Sequence, residues 1–410
     1  MRRGKPWIPP SGLIVGHLAH GLSWVLLWRM AANGIQTASM SAIAWVHLVA
    51  LGWFTLIALS VMLFVVPQFV EIEWRGEAWA KLGLVLFALG AFAMVVAFWN
   101  NGVAWLWVAA LMVIIGLVLY FIPAAITLSA AFLGQRTEAA IARAFSVVLI
   151  FLGAAAAVGF GMARSLYSGS ALLLTVGPSI HLSLAGIGWL TLLVMGVSTR
   201  TIGPITGHRS PRRWVHIAAS SLVAVAVVGL ALGPWAGSGA VRYASLACAI
   251  GLAAYGVDLL AVLATATVTH RTPQAFAAAA IVWLLFACGL GVLVASGSTK
   301  LAPAFVFVGL IGWVGQMVIA HQYHIGVRLI ATMARGDDDE THPENLLHPG
   351  LSWATFVLFQ LAIGLGCYAL LTQSASIVGA AIAGLTGWIV MTANMFHAIV
   401  LAERSVLRAT

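Results

Sequence analysis

Charge is the scarcest property of this sequence. Charged residues make up 8% of its 410 positions and hydrophobic residues 62%, whereas about a quarter of the residues of a soluble domain are charged. Cysteine is scarce too, because Cys248, Cys288 and Cys367 each lie alone in an apolar run, without the CxxC spacing of a metal or redox site. These shortages exclude a sizeable soluble domain and a cysteine-based centre, and they predict an integral membrane protein.

The formal net charge of +9 does not indicate binding to nucleic acid. Lys and Arg are scattered among the short polar segments between apolar runs, whereas a nucleic-acid interface gathers them into a patch. The N-terminal sequence MRRGKPWIPP is basic like a signal peptide, but no small-residue cleavage site follows it. We therefore expect a retained first helix.

Long apolar runs predict an all-α polytopic membrane protein with twelve transmembrane helices. In hydrocarbon only helices and closed barrels satisfy their own backbone groups, and these runs are too long for alternating strands. The predicted spans are 12–32, 39–66, 81–99, 104–133, 142–167, 177–202, 213–234, 241–269, 275–296, 302–333, 351–372 and 376–402. The lipid bilayer is the first expected partner.

The distribution of basic residues predicts the orientation of these spans. With the N-terminus inside, the outer segments hold only Arg29, Arg164, Arg242 and Lys300, and the rest of the 20 basic residues fall in inner segments. Such a bias is the positive-inside rule. It predicts that both termini face the cytoplasm, as in a protein of the bacterial inner membrane.

Two of the predicted spans contain nearly the same sequence. HLVALGWFTL begins at His47 and HLSLAGIGWLTL begins at His181, and a third Gly-Trp pair ends at Trp313. The tryptophans Trp53, Trp189 and Trp313 fall in spans two, six and ten, four spans apart each time. This period predicts three pseudo-threefold-related four-helix units at about 12–133, 142–269 and 275–402, and disfavours a transporter built from two halves. Chance recurrence of Gly-Trp is the alternative.

Seven histidines lie inside the predicted spans and away from their ends. Ionisable side chains in hydrocarbon need a partner, and haem iron or a metal would satisfy several imidazoles at once, although a hydrogen bond between helices would serve any one of them. His47 and His181 precede their tryptophans and are expected toward the outer face. The remaining five are expected toward the inner face as iron or copper ligands, and they are His17, His20, His321, His324 and His397.

Within the inner group, two pairs have i, i+3 spacing, which places both rings on one face of an α-helix. These pairs are His17 with His20 and His321 with His324. Asn394 lies three residues before His397 and is expected to orient it. The two levels together predict two separate sites.

Asp258 is the one carboxylate inside a predicted span, with Tyr255 one turn earlier. Both are candidates for a proton relay, with a hydrogen bond to a neighbouring helix as the alternative. Gln316 and Gln360 are expected to join helices. The acidic segment 335–349 predicts a solvated cytoplasmic loop.

HLVALGWFTL, HLSLAGIGWLTL and VIAHQYHIGV together resemble the haem-copper oxidase subunit I-like superfamily, and most closely its compact NnrS-like members. In that family a histidine in span two ligates a low-spin haem. The resemblance assigns this role to His47. The resemblance also pairs His321 with His324 in span ten. Span seven lacks the family's adjacent histidines, and no tyrosine follows His181 as the family's copper centre requires. The resemblance therefore implies haem b, with copper as a further cofactor, and a redox or nitric-oxide-related role without the full oxidase mechanism.

These observations favour a haem-binding membrane redox protein, with copper as a further cofactor and a quinol or cytochrome as its electron partner. A proton-coupled or transition-metal transporter that uses Asp258 and the histidines is the alternative from another class. A non-catalytic subunit that anchors a respiratory complex is the third possibility. No phosphate-binding loop or Ser-His-Asp set indicates hydrolytic chemistry.

Overall fold

The structure is a computed structural model, which describes residues 8–34, 37, 39–133, 139–207, 210–267, 271–335 and 343–409. Within these ranges the chain is helical and contains no β-strand. Twelve of the described helices are long and apolar enough to cross a membrane. The prediction of an all-α polytopic membrane protein is therefore confirmed.

The twelve helices are numbered in chain order. They are α1 (Ser11–Ala32), α2 (Met40–Val70), α3 (Glu77–Trp99), α4 (Val103–Ala130), α5 (Ala142–Ser168), α6 (Leu173–Thr206), α7 (Arg213–Ala236), α8 (Ser238–Ala264), α9 (Thr272–Ala295), α10 (Thr299–Ala334), α11 (Pro349–Thr372) and α12 (Ser376–Glu403). The predicted spans match them to within a few residues. The largest difference is at α8, which ends at Ala264 rather than 269, and ends of α2, α3 and α6 differ by four residues. Helix α6 continues through Pro178. Residues 336–342 of the predicted acidic loop lie outside the described residues.

Helices α2, α6 and α10 share an irregularity that the sequence did not predict. Each contains a π-helical segment around its Gly-Trp pair, namely Leu48–Thr55, Ser183–Thr191 and Val308–Gly315. Trp53, Trp189 and Trp313 are all buried, with at most 1% of each exposed. Long π segments are rare and occur often at functional sites. The repeated phrase in the sequence thus corresponds to a repeated backbone conformation.

The chain divides into two compact units. Unit 1 comprises Met1–Leu26, Gly34–Gly196 and Ser220–Cys248, and unit 2 comprises Leu27–Asn33, Val197–Ala219 and Ala249–Thr410. The arrangement of the fold as three four-helix units remains a prediction.

In unit 1, α3 and α4 pack with their backbones almost in contact. A Cβ atom added to Gly83 would lie 2.5 Å from the carbonyl oxygen of Gly116, and one added to Gly116 would lie 2.5 Å from the backbone nitrogen of Phe87. Membrane helices have little hydrophobic force to drive them together, so small residues that allow close van der Waals packing join them instead. Helices α3 and α4 are therefore closely packed within unit 1.

The α2 and α6 segments of unit 1 are joined by a buried hydrogen bond. The indole Nε1 of Trp189 donates to the hydroxyl of Thr55 at 2.9 Å. Trp189 lies in the π segment of α6, and Thr55 is the last residue of the π segment of α2. The two irregular turns therefore contact each other directly.

In unit 2, a chain of side-chain amides joins three helices. Trp283 on α9 donates its Nε1 to Gln360 on α11 at 3.1 Å. Gln360 in turn donates to the side-chain oxygen of Gln316 on α10, and Gln316 donates to the carbonyl of Gly312 at 3.1 Å. The expectation that the two glutamines join helices is confirmed.

Candidate metal centre

His47 and His181 occupy equivalent places in their helices. His47 directly precedes the π segment of α2, and His181 lies two residues before that of α6. Their ring centroids are 6.0 Å apart, and the ring planes differ by 18°. The structure thus brings together the two histidines that the sequence placed at one level.

Both rings are oriented by backbone carbonyl groups. The Nδ1 atom of His47 lies 2.8 Å from the carbonyl oxygen of Ile43, one turn earlier in α2. The Nδ1 atom of His181 lies 2.9 Å from the carbonyl oxygen of Ala155 on α5. A carbonyl oxygen only accepts, so Nδ1 carries the proton in each ring and Nε2 keeps its lone pair. Both imidazoles are prepared to ligate through Nε2.

The immediate surroundings of the two rings are apolar and close. The Phe98 ring lies 5.0 Å from that of His47. A Cβ atom on Gly159 of α5 would come within 3.0 Å of Cε1 of His181. Both histidines are only partly buried, so the site is open on one side. Glycine at 159 provides the space in which the His181 ring lies.

The separation of the two rings is compatible with a metal held between two imidazoles. With each nitrogen about 2 Å from the metal, the ring centroids would be roughly 6 Å apart, which agrees with the observed 6.0 Å. Among the described residues no group of three or more His, Cys, Asp or Glu is suited to a metal ion. Two imidazoles alone suit the axial ligation of haem iron, in which the macrocycle supplies the other ligands.

His17 and His20 lie in the packed interior of unit 1. Their ring centroids are 6.3 Å apart at 81°. The fully buried His20 lies flat on Trp53, with centroids 3.5 Å apart and planes within 7°. His20 thus packs against the tryptophan of the π segment of α2, and its role as a metal ligand remains a prediction.

His321 in unit 2 uses both ring nitrogens. Its Nδ1 lies 2.6 Å from the carbonyl oxygen of Met317, so Nδ1 donates and Nε2 accepts from the Thr201 hydroxyl at 2.7 Å. In this arrangement neither nitrogen is available to a metal. His321 therefore makes the helix-to-helix hydrogen bond that was the alternative to ligation.

His321 and His324 were paired on the assumption that both lie on one face of an α-helix, and the structure differs from that assumption. His324 lies in a second π segment of α10, Gln322–Gly326. A π turn holds more residues than an α turn, so residues three apart are rotated further from one another than on an α-helix. The i, i+3 argument for one shared face does not apply there.

His397 has a different neighbour from the one expected. Its ring centroid lies 6.0 Å from that of His348, with planes at 78°. Asn394 does not orient His397, because its Oδ1 accepts from the backbone N–H of His348 at 2.8 Å and its Nδ2 donates to Ser352 at 2.8 Å. Asn394 instead ties α12 to the start of α11. Sequence reasoning assigned His348 to a solvated loop, and no local signal marked this contact.

The proton-relay candidates also have partners in unit 2. The Tyr255 hydroxyl lies 2.8 Å from that of Ser198, and its ring contacts His216 and Trp313. Asp258 is buried but not isolated, because its carboxylate accepts from the backbone N–H of Arg212 at 2.9 Å and lies 3.6 Å from Nε of that residue. The sequence identified the buried carboxylate but missed its arginine.

Comparison with known proteins adds no assignment. No protein-family model matches the chain, and no curated protein matches its sequence.

Proposed function

We propose that this chain is a haem-binding membrane redox protein in which His47 and His181 hold one haem b. The observation that supports the proposal is the pair of nearly parallel imidazoles 6.0 Å apart, both with Nδ1 bonded to a carbonyl. Intramembrane histidines are costly and usually functional. The resemblance of the sequence to the haem-copper oxidase subunit I-like superfamily, in particular its NnrS-like members, supports His47 as a haem ligand, and the contact with His181 comes from the structure alone.

The proposed role is electron transfer rather than reaction at the iron. A haem supplies one-electron chemistry, and its axial ligands decide whether a gas can reach the metal. His47 and His181 would together hold the haem, and the chemistry that it would supply between them is electron transfer. We propose a quinol or a cytochrome as the electron partner and the bacterial inner membrane, with both termini cytoplasmic, as the location.

The test is an optical spectrum of the reduced, detergent-purified protein together with iron and copper analysis. We expect a Soret band and one iron per chain that His47→Ala and His181→Ala each abolish. Wild-type protein without a Soret band and without stoichiometric metal would refute the proposal. Copper in place of iron would assign the pair to a copper ion, which imidazole also suits.

His321→Ala is the matched control, because His321 is also a partly buried intramembrane histidine. Its two hydrogen bonds predict that the haem spectrum is unchanged. The inner level of ligands proposed from the sequence predicts instead the loss of a second spectral component. One variant therefore distinguishes a single haem from two.

A further inference from the structure

A groove on the surface of unit 2 joins a buried ion pair to an apolar, lipid-facing stripe. It encloses a cavity of about 430 Å³ between the start of α7 and the second half of α8. Its lining includes Arg212, Val215, Ala254, Val257, Asp258 and Ala261. The lining of the groove is thus polar at one end and apolar along the rest.

The polar end presents arginine charge outward. Both carboxylate oxygens of Asp258 are directed to Arg212, and the Arg212 side chain is still 69% exposed. A guanidinium group has five N–H donors in a planar fork, so several remain for a ligand. Asp258 therefore holds the arginine at the mouth of the groove without covering it.

The neighbouring residues add to the positive charge. Arg213 is exposed and forms no ion pair with any described residue. Trp214 is 69% exposed, as is typical of tryptophans at the boundary between hydrocarbon and headgroups. Arg213 is adjacent in the chain to Arg212, which lines the groove, so one carboxylate is set against two arginines and the mouth of the groove carries a net positive charge.

The apolar part has the dimensions of an acyl chain. Ala254, Val257 and Ala261 are exposed and recur at helical spacing along one face of α8. Over these residues the helix rises by about 10 Å, and two of the three side chains are no larger than a methyl group. The stripe therefore offers a shallow channel that leads away from the arginines into the membrane.

We propose that this groove binds one anionic phospholipid, with its phosphate on Arg212 and Arg213 and an acyl chain along Ala254, Val257 and Ala261. Guanidinium groups recognise phosphate in a bidentate manner, and basic pockets between membrane helices are suited to anionic headgroups. The net positive charge favours an anionic lipid over a zwitterionic lipid or an uncharged quinone. The site is independent of the proposed haem.

Native mass spectrometry of the purified full chain tests this site with phosphatidylglycerol and with phosphatidylcholine of the same acyl chains. We expect preferential retention of phosphatidylglycerol. Each exposed arginine contributes roughly fivefold in affinity. Arg213→Gln, which leaves the Arg212–Asp258 pair intact, should therefore weaken retention about fivefold, and Arg242→Gln, an exposed arginine near the start of α8, should leave it unchanged.

A second variant tests the apolar part of the groove. Ala254→Phe fills the channel without changing charge and should also reduce retention of phosphatidylglycerol, with the thermal midpoint of unfolding checked in parallel. Equal retention of both lipids, or equal loss in Arg213→Gln and Arg242→Gln, would overturn the proposal. So would displacement of the lipid by a prenyl quinone, or by inorganic phosphate at millimolar concentration.

Discussion

The histidines of the candidate metal centre donate to peptide carbonyls rather than to carboxylates. His47 bonds within its own helix, to Ile43, whereas His181 bonds across to Ala155 on α5. The hydrogen bond to the second ring nitrogen fixes the tautomer and the orientation of a ligating histidine. The His181 ring therefore depends on the packing of α5 against α6, and the His47 ring does not.

Gly159→Ala tests that dependence. The new methyl group would lie 3.0 Å from Cε1 and 3.3 Å from Nδ1 of His181, so the ring must shift by a few tenths of an ångström. Alanine itself favours a helix over glycine by about 1 kcal/mol, so the protein should still fold. We expect a several-fold loss of haem occupancy by reduced-minus-oxidised spectroscopy.

Gly239→Ala is the control for that substitution, because a Cβ atom there meets nothing within 4 Å. Its spectrum should equal that of the wild type. An unchanged spectrum in Gly159→Ala would show that the His181 ring is not held as described.

At this scale the sequence predicted the depth of side chains but not their direction around the helix. Spacing from the tryptophans placed His47 and His181 at one level, and the structure brings them together. The same reasoning could not show that Thr201 bonds to His321 or that Arg212 bonds to Asp258. Those partners lie on other helices, and single-sequence spacing contains no information on how two helices are rotated toward each other.

The π segments at the Gly-Trp pairs of α2, α6 and α10 are the most distinctive elements of the fold. Hydropathy is equally high in an α-helix and in a π-helix, so the apolar runs predicted the spans without revealing that the backbone widens at these three pairs, whereas it stays α-helical at Gly387 and Trp388 in α12. The sequence showed that the Gly-Trp segment recurs, but it did not show the backbone conformation of that segment. Both histidines of the candidate metal centre lie within two residues of such a segment.

Thr55→Val tests the contact between two of these segments. The substitution removes the acceptor of the Trp189 indole N–H in a place where both residues are buried. An unsatisfied buried donor costs about 1–3 kcal/mol, and side-chain hydrogen bonds in membrane proteins average somewhat less. We expect the free energy of unfolding, measured by denaturant titration in detergent, to fall by about 1 kcal/mol.

Thr386→Val serves for comparison, since that exposed hydroxyl bonds only to the carbonyl of Ile382 in its own helix. It should change stability little. If the two variants were equally stable, the bond between Trp189 and Thr55 would contribute nothing to holding the segments together.

On the scale of the whole molecule, the pattern of apolar runs was sufficient to predict the number of spans and, to within five residues, their limits. Hydrocarbon forces each backbone group to bond within its own helix, so every span must appear as an uninterrupted apolar run. The division of the chain into helices could therefore be predicted from the sequence. The grouping of helices into three units remains a prediction, because it depends on contacts between side chains far apart in the chain.

The orientation predicted by the basic residues can be measured with single cysteines in a background in which Cys248, Cys288 and Cys367 are replaced. Glu73→Cys lies between α2 and α3, and Asn100→Cys lies between α3 and α4, both at exposed positions. A membrane-impermeant maleimide should label Asn100→Cys in intact cells and Glu73→Cys only after permeabilisation. The reverse pattern would invert the topology, and labelling of both in intact cells would contradict α3 as a span.

The widened turns also limit how helical-wheel projections of α2, α6 and α10 can be drawn. A wheel assumes 100° per residue throughout, but each residue added to a turn rotates everything beyond it by about that angle. Positions before the segment, such as His47, and positions after it, such as Ser60, cannot be assigned to inner or lipid-facing sides from one continuous wheel. The α-helical parts on either side of a π segment therefore need separate helical wheels, two in α2 and in α6 and three in α10.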